Sequence, residues 1–334
     1  MSFSFSFFTA LFAVIFLCLV SLLGVQTVGL RTLFGVVIPY AALAIFVLGF
    51  IYRMAKWASS SVPFRIPSTC GQQKTLPWIK QAKFDNPSTG FQTLVRMLLE
   101  VLLFRSLFRN TKAEVRDLRH VAYGSAKWLW LAGILFHYSF LTIVVRHIRF
   151  FTEPEPYLVN LIATLDGIFE IAVPTIFLTD IALLAAATYL FLRRVVIPNL
   201  RYISLPADYF PLLLILAIAI SGVLMRNVYK VDLLTVKQLA LGLVAFHPAV
   251  PDGIGAIFFV HLFLVCCLLA YFPFSKLMHL GGVFLSPTRN MANNNRAVRH
   301  INPWDPQVKF HTYEEYEDDF RVKMKEAGIP VDKE

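Results

Sequence analysis

Cysteine is scarce in this chain and poorly placed for the chemistry it usually performs. The four are Cys18, Cys70 and the adjacent Cys266 and Cys267. No CxxC or CxxCH occurs, which excludes covalent c-type haem, a zinc ribbon and a ferredoxin-type cluster. Any haem here must be held by side-chain ligation and packing alone. Charge is scarce too, at 16% of residues against 57% hydrophobic, where a soluble domain is about a quarter charged and roughly half apolar. That balance describes a membrane protein. The net charge of +10 then reports topology and contact with anionic headgroups rather than nucleic acid. The first apolar run, Met1 to Val25, has neither a positive n-region nor a small-residue cleavage site, so it reads as a retained transmembrane helix.

What the chain does have is long apolar runs. Six are long enough to span about 30 Å of hydrocarbon, which takes about 20 residues: Phe5–Val25, Leu33–Tyr52, Lys127–His147, Val159–Leu192, Ala207–Met225 and Ile254–Phe284. The expected fold is an all-α integral membrane bundle of six transmembrane helices. Pro174 and Pro273 lie inside the two longest runs and should bend them.

Charge orients the bundle. Arg53 to Arg119 holds twelve Lys or Arg against the acids Asp85, Glu100, Glu114 and Asp117, and positive loops stay cytoplasmic. The connection Arg193–Arg201 is also basic, whereas the opposite connections carry little net charge. Both termini are therefore expected in the cytoplasm, with the chain in the cytoplasmic (inner) membrane. Phe91–Phe108, with Arg96, Glu100, Arg105 and Arg109 recurring at four to five residues, reads as an amphipathic helix on the headgroups. Val231–Phe246 reads as a shorter one on the opposite face, ended by His247-Pro248. The organisation is then two N-terminal spans (1–52), a cytoplasmic loop (53–126), a four-helix core (127–284) and a tail (285–334). The tail, with an acidic run from Glu314 and the aromatics Trp304, Phe310, Tyr313, Tyr316 and Phe320, reads either as a solvated segment or as a dock for a cytoplasmic partner, which that density of rings favours.

Four of the eight histidines lie inside spans. A lone one could simply hydrogen-bond across to another helix, but ionisable groups in hydrocarbon generally mark function. His261 and His279 are 18 residues apart, five full turns at about 100° per residue, and so share one face of a straight helix. His137 and His147 are ten apart and turned by about 80°. The third and sixth spans run antiparallel, which pairs His147 with His261 and His137 with His279. Each pair can clamp one iron, the bis-histidine ligation of an electron-transfer haem; two haem b groups are expected. Arg146, Arg149 and Arg226 on one side, and Lys276 and Arg289 on the other, could meet haem propionates or snorkel to the interface. His120, His247, His300 and His311 fit surface or capping roles. The alternative class, a secondary transporter with histidine proton relays, would call for an inverted repeat with paired broken helices, and none is evident.

These histidine spacings resemble the gamma subunit of respiratory nitrate reductase, a quinol-oxidising dihaem cytochrome b, with one extra span in front. Phe64-Arg65-Ile66-Pro67, Ser68-Thr69-Cys70-Gly71, Leu76-Pro77-Trp78-Ile79-Lys80, Asn302-Pro303-Trp304 and Tyr313-Glu314-Glu315 resemble more closely the DsrM family, the membrane cytochromes of the DsrMKJOP complexes of sulfur-metabolising prokaryotes. That resemblance implies menaquinol oxidation near His147 and His261 and electron passage through His137 and His279. The acceptor it implies is a cytoplasmic iron–sulfur subunit (DsrK-like), with other membrane and periplasmic subunits beside it. The nitrate reductase subunit has a lysine at its quinol site on the following helix. Here that half-span carries Asp166 and Glu170 instead, one turn apart, either of which could accept a quinol proton or simply hydrogen-bond to a neighbouring helix.

Overall fold

The computed structural model describes residues 3–60, 71–116, 120–167, 176–294 and 309–333. Helix α1 is Phe3–Gln26, and a π-helical turn, Leu33–Val37, opens into α2, Ile38–Ala58. The loop after α2 contains α3, Gly90–Leu103, α4, Arg105–Arg109, and an antiparallel hairpin, β1 Thr111–Arg116 with β2 His120–Ser125. The core follows as α5, Lys127–His147, α6, Tyr157–Asp166, α7, Leu178–Val196, α8, Pro198–Ile203, α9, Pro206–Asn227, α10, Leu233–Val244, and α11, Ala256–Tyr271. Two short elements end the chain: α12, His279–Gly282, and α13, Tyr313–Glu326.

The burial pattern is that of a protein in lipid. On α1 the buried residues are Ser6, Ala10, Val14, Ser21 and Val25, while Phe8, Phe12, Phe16, Leu19 and Leu23 face outward. Small residues line the inward stripe because in hydrocarbon helices associate by close packing, not by hiding apolar surface. That stripe seats α1 against α9 and α11, with Val14, Leu214, Ile215, Val260, Leu264 and Leu268 as the shared core. Helix α2 packs on α11, and α7 lies between α5 and α9. At Gly49 on α2 an added Cβ would meet Pro273 at 2.7 Å, so the glycine lets α2 close over the end of α11.

Among the described residues, five helices are long and apolar enough to cross a membrane: Phe3–Gln26, Leu33–Ala58, Lys127–Phe150, Pro206–Asn227 and Ala256–Phe274. These are five of the six expected spans, and the all-α bundle stands. The fourth expected span, Val159–Leu192, is instead occupied by α6 and α7; Pro174 lies outside the described residues. Helix α7 carries Asp180, Arg193 and Arg194, which makes it the most polar member of the bundle.

The sixth expected span departs further. Ile254–Phe284 is not one bent helix, because α11 ends at Tyr271 and Phe272–Phe274 tightens into a single 3-10 turn. Proline lacks the N–H and crowds the preceding turn. Ser275 then adopts an extended conformation, and its hydroxyl accepts the Leu277 N–H at 3.1 Å, restarting the chain as a fresh turn ahead of α12. His261 and His279 therefore do not share a face of one straight helix.

The expected amphipathic helix 91–108 is also divided. Phe104 takes a left-handed φ of 49° and separates α3 from α4. On α3, Thr93, Arg96 and Glu100 are buried while Phe91, Leu94, Leu98 and Leu102 are exposed, the orientation of a helix with its apolar side in lipid. The expected helix at 231–246 is α10, capped by the Asp232 carboxylate on the Leu234 N–H at 3.0 Å. Asn293 donates to Asn86 at 2.5 Å, and its N–H donates to the Pro87 carbonyl at 2.6 Å. These bonds bring the segment after α12 back onto the basic loop, so α12 and the loop share one end of the bundle.

Candidate functional site

Two histidine pairs lie between α5 and the chain of α11 and α12. His147, at the far end from the basic loop, faces His261 with ring centroids 6.5 Å apart and planes 15° from parallel. His137, toward the loop end, faces His279 at 5.8 Å with planes at 82°. The pairing read from antiparallel topology is the one observed. The expected mismatch in rise, about 15 Å against about 27 Å, is absorbed by the break after Tyr271.

Every one of the four rings is oriented through Nδ1. That atom donates to the Gly133 carbonyl from His137 at 2.7 Å, to Ile143 from His147 at 2.7 Å, and to Lys276 from His279 at 2.9 Å. A carbonyl can only accept, so the proton is on Nδ1 and Nε2 keeps its lone pair. For His261 the partner is Ser221 Oγ at 2.9 Å. The Ser221 hydroxyl donates to Ile218 at 2.9 Å, which leaves its oxygen to accept from His261. Gly222 stands beside it, where a Cβ would come within 3.3 Å of the imidazole.

Such an arrangement can hold a metal. Metal–imidazole bonds are about 2 Å long, so two rings on opposite sides of one ion stand about 6 Å apart, centroid to centroid. Both separations match. Among the described residues no group of three or more His, Cys, Asp or Glu could hold a metal ion. The pairs therefore suit an ion whose other positions are filled by a macrocycle, as in bis-histidine haem.

Beside the far-end pair lies a buried ion-pair network. Arg146 Nη2 donates to Asp180 at 2.5 Å, and Arg146 Nε lies 3.2 Å from Asp166 Oδ2, close enough for attraction though not aligned as a hydrogen bond. Asp166 further accepts from the Thr179 N–H at 2.9 Å and the Thr179 hydroxyl at 2.6 Å. The Arg146 and Arg226 guanidinium groups lie over the Phe177 ring at 3.7 and 4.1 Å, and Arg149 lies over Phe150 at 4.9 Å. Arg146 and Asp166 are almost fully buried, so Asp166 depends on Arg146 for charge compensation and Arg146 on both carboxylates. Glu170 lies outside the described residues. At the loop end Lys276 pairs with Asp208 at 2.6 Å, and Arg194 approaches the same carboxylate at 3.7 Å.

Sequence reasoning missed Asp180, Thr179, Ser221 and Phe177. Asp180 carried the signal that drew attention to Asp166, a carboxylate inside an apolar run. Ser221 carried none, since a serine on a membrane helix usually bonds its own backbone.

Residues 100–300 match the family model of the nitrate reductase gamma subunit. Two curated relatives are each described as an "Hdr-like menaquinol oxidoreductase cytochrome b-like subunit". The protein from Archaeoglobus fulgidus is 50% identical over 281 residues, covering 82% of this chain and 84% of its own. The protein from Archaeoglobus profundus is 45% identical over 277 residues, covering 80% and 82%. On these matches, the chain belongs to the nitrate reductase gamma subunit family, alongside the Hdr-like menaquinol oxidoreductase cytochrome b-like subunits.

Proposed function

We propose that this chain is a membrane cytochrome b that carries two b-type haems. One would be held by His147 and His261, the other by His137 and His279. Electrons would enter from menaquinol near the far end and leave at the loop end to an iron–sulfur partner. The observation that carries the reading is the double match of ring separation, 6.5 and 5.8 Å, with all four Nδ1 atoms tied. The names of the two Archaeoglobus relatives support the quinol. The density of Lys and Arg between residues 53 and 119 supports a cytoplasmic loop end in the cytoplasmic membrane, with both termini on that side.

When bound, the haems supply one-electron carriers at two depths of the membrane. The protein's own groups orient them and handle charge. The Nδ1–H bonds fix each imidazole and raise its basicity as a ligand. Arg146, Arg149 and Arg226 set the positive potential that propionates require, with Arg146 held in place by Asp166 and Asp180. Oxidation of one quinol releases two protons and two electrons. Because Asp166 is committed to Arg146 and Thr179, we assign acceptance of one of those protons to Glu170, the other leaving directly to water at the far face, with Asp166 positioning the arginine.

The sulfur-metabolism setting and a DsrK-like acceptor, within a DsrMKJOP-type complex, rest on the resemblance of the loop and tail motifs. Reduced-minus-oxidised spectra of the full-length protein, with a soluble menaquinol analogue as donor, test the central assignment. Two b-type components reduced by the quinol are expected; a colourless protein would overturn it.

A further inference from the structure

Four observations meet at the break between α3 and α4. Phe104 holds a left-handed backbone, φ 49° and ψ 45°, which a bulky residue keeps only where its surroundings demand it. Its ring lies edge-on to the His137 imidazole, centroids 5.0 Å apart. The last carbonyls of α3 are taken by the helix that carries His137, since Trp130 Nε1 donates to Leu103 at 2.8 Å and the Tyr138 hydroxyl to Leu102 at 2.9 Å. Finally, a Cβ at Gly133 would come within 3.6 Å of Leu107 and 3.8 Å of Phe104, and Gly133 is the residue whose carbonyl orients His137.

The restart of the chain after the break is built as firmly. Glu100, buried on α3, reaches past Phe104 to accept from the Ser106 hydroxyl and from the Ser106 N–H at 3.3 Å. Asp85 accepts from both Arg105 and Arg109, the two ends of α4. The Phe108 ring meets Trp130 edge-on at 4.8 Å. A helix that simply lay on the membrane surface would need none of these ties to α5. Without the break, α3 would run on past α5 and carry the residue-104 ring away from His137.

We propose that the α3–α4 break is a strap that positions the loop-end imidazole, and that Phe104 is its working residue. The Phe104 ring, together with a second edge contact from Phe136 at 5.2 Å, holds the plane of His137 nearly perpendicular to that of His279, 82° apart, and covers the loop side of the ligand. This rests on the reading of His137 as a haem ligand. Apolar enclosure and ring orientation tune the potential of a ligated haem. Loss of the ring admits water, which favours the more highly charged ferric state, so the loop-end midpoint falls.

The test replaces Phe104 in the full-length membrane protein. Phe104→Gly removes the ring but suits the left-handed backbone, so the break survives; Phe104→Tyr keeps the ring. A redox titration and low-temperature spectra of the ferric protein read both haems separately. In Phe104→Gly the loop-end haem is expected to become at least tenfold harder to reduce, about 59 mV for one electron. Its ferric signal should move toward that of a more parallel pair, with the far-end haem unchanged and Phe104→Tyr close to wild type. An unchanged loop-end haem in Phe104→Gly would overturn the strap while leaving the two-haem reading intact. A wild-type protein with no loop-end haem would overturn the reading beneath it. Equal shifts of both haems would mark a general loosening of the bundle and would also reject Phe104 as a local positioning residue.

Discussion

The two histidine pairs solve one problem with different materials. The far-end pair is built from regular helices: His147 closes α5, His261 lies on α11, and a serine on a third helix, α9, orients the latter. The loop-end pair is built from interruptions. His279 opens the four-residue α12, and His137 is flanked by the left-handed turn at Phe104. At these two pairs, regular helices go with near-parallel rings and interrupted ones with perpendicular rings. Both ends carry ion pairs, Arg146 with Asp166 and Asp180 at the regular end and Lys276 with Asp208 at the broken one.

Histidine replacements should have the largest effect. His261→Ala or His147→Ala should abolish the far-end haem and spare the loop-end one, whereas His137→Ala or His279→Ala should do the reverse; difference spectra of each variant read this as loss of one of two components. Next in size is Arg146→Met, which leaves Asp166 buried without its cation and half-buried Asp180 without its nearest one. Breaking a buried pair costs about 3–5 kcal/mol, so thermal unfolding in detergent should fall markedly, with quinol-driven reduction lost before dithionite-driven reduction. A smaller effect belongs to Ser221→Ala. It removes the Nδ1 acceptor of His261, and loss of such an orienting partner costs about 10–100-fold in metal affinity; haem retention during dilution should decline at the far end alone.

The smallest concerns pH and the strap. Burial alone would raise the Asp85 carboxyl, but hydrogen bonds and charge from Arg105 and Arg109 hold it below its ordinary value. A carboxylate depressed in the folded state stabilises that state above its unfolded pKa of about 3.9 and loses the contribution as pH falls through the folded value. Limited proteolysis near Arg105 should therefore stay constant from neutrality to about pH 4, then rise under more acid conditions. Asp85→Asn should already show the higher rate at neutral pH.

Much of this design was legible in residues. Long apolar runs identify spans because hydrocarbon forbids unsatisfied backbone, and antiparallel runs fix which histidine meets which. The premise of a shared face for His261 and His279 was not legible as written, because a proline in an apolar run can bend a helix or end it. Ser275 decided the matter by capping a new turn. The break at Phe104 was hidden for a related reason, since left-handed turns usually announce themselves with glycine and here a phenylalanine is held by tertiary ties. Asp180 was overlooked although it obeys the rule that singled out Asp166, and only the fold shows both carboxylates meeting one arginine.

The claim that two differently built imidazole pairs each bind a haem is tested most directly by low-temperature electron paramagnetic resonance of the oxidised protein. Nearly parallel axial imidazoles give a rhombic low-spin ferric signal, and perpendicular ones a strongly anisotropic signal dominated by its largest g value. One of each is expected, with the rhombic signal lost in His261→Ala and the anisotropic one lost in His279→Ala. A single class of haem, or signals that both survive either replacement, would contradict it.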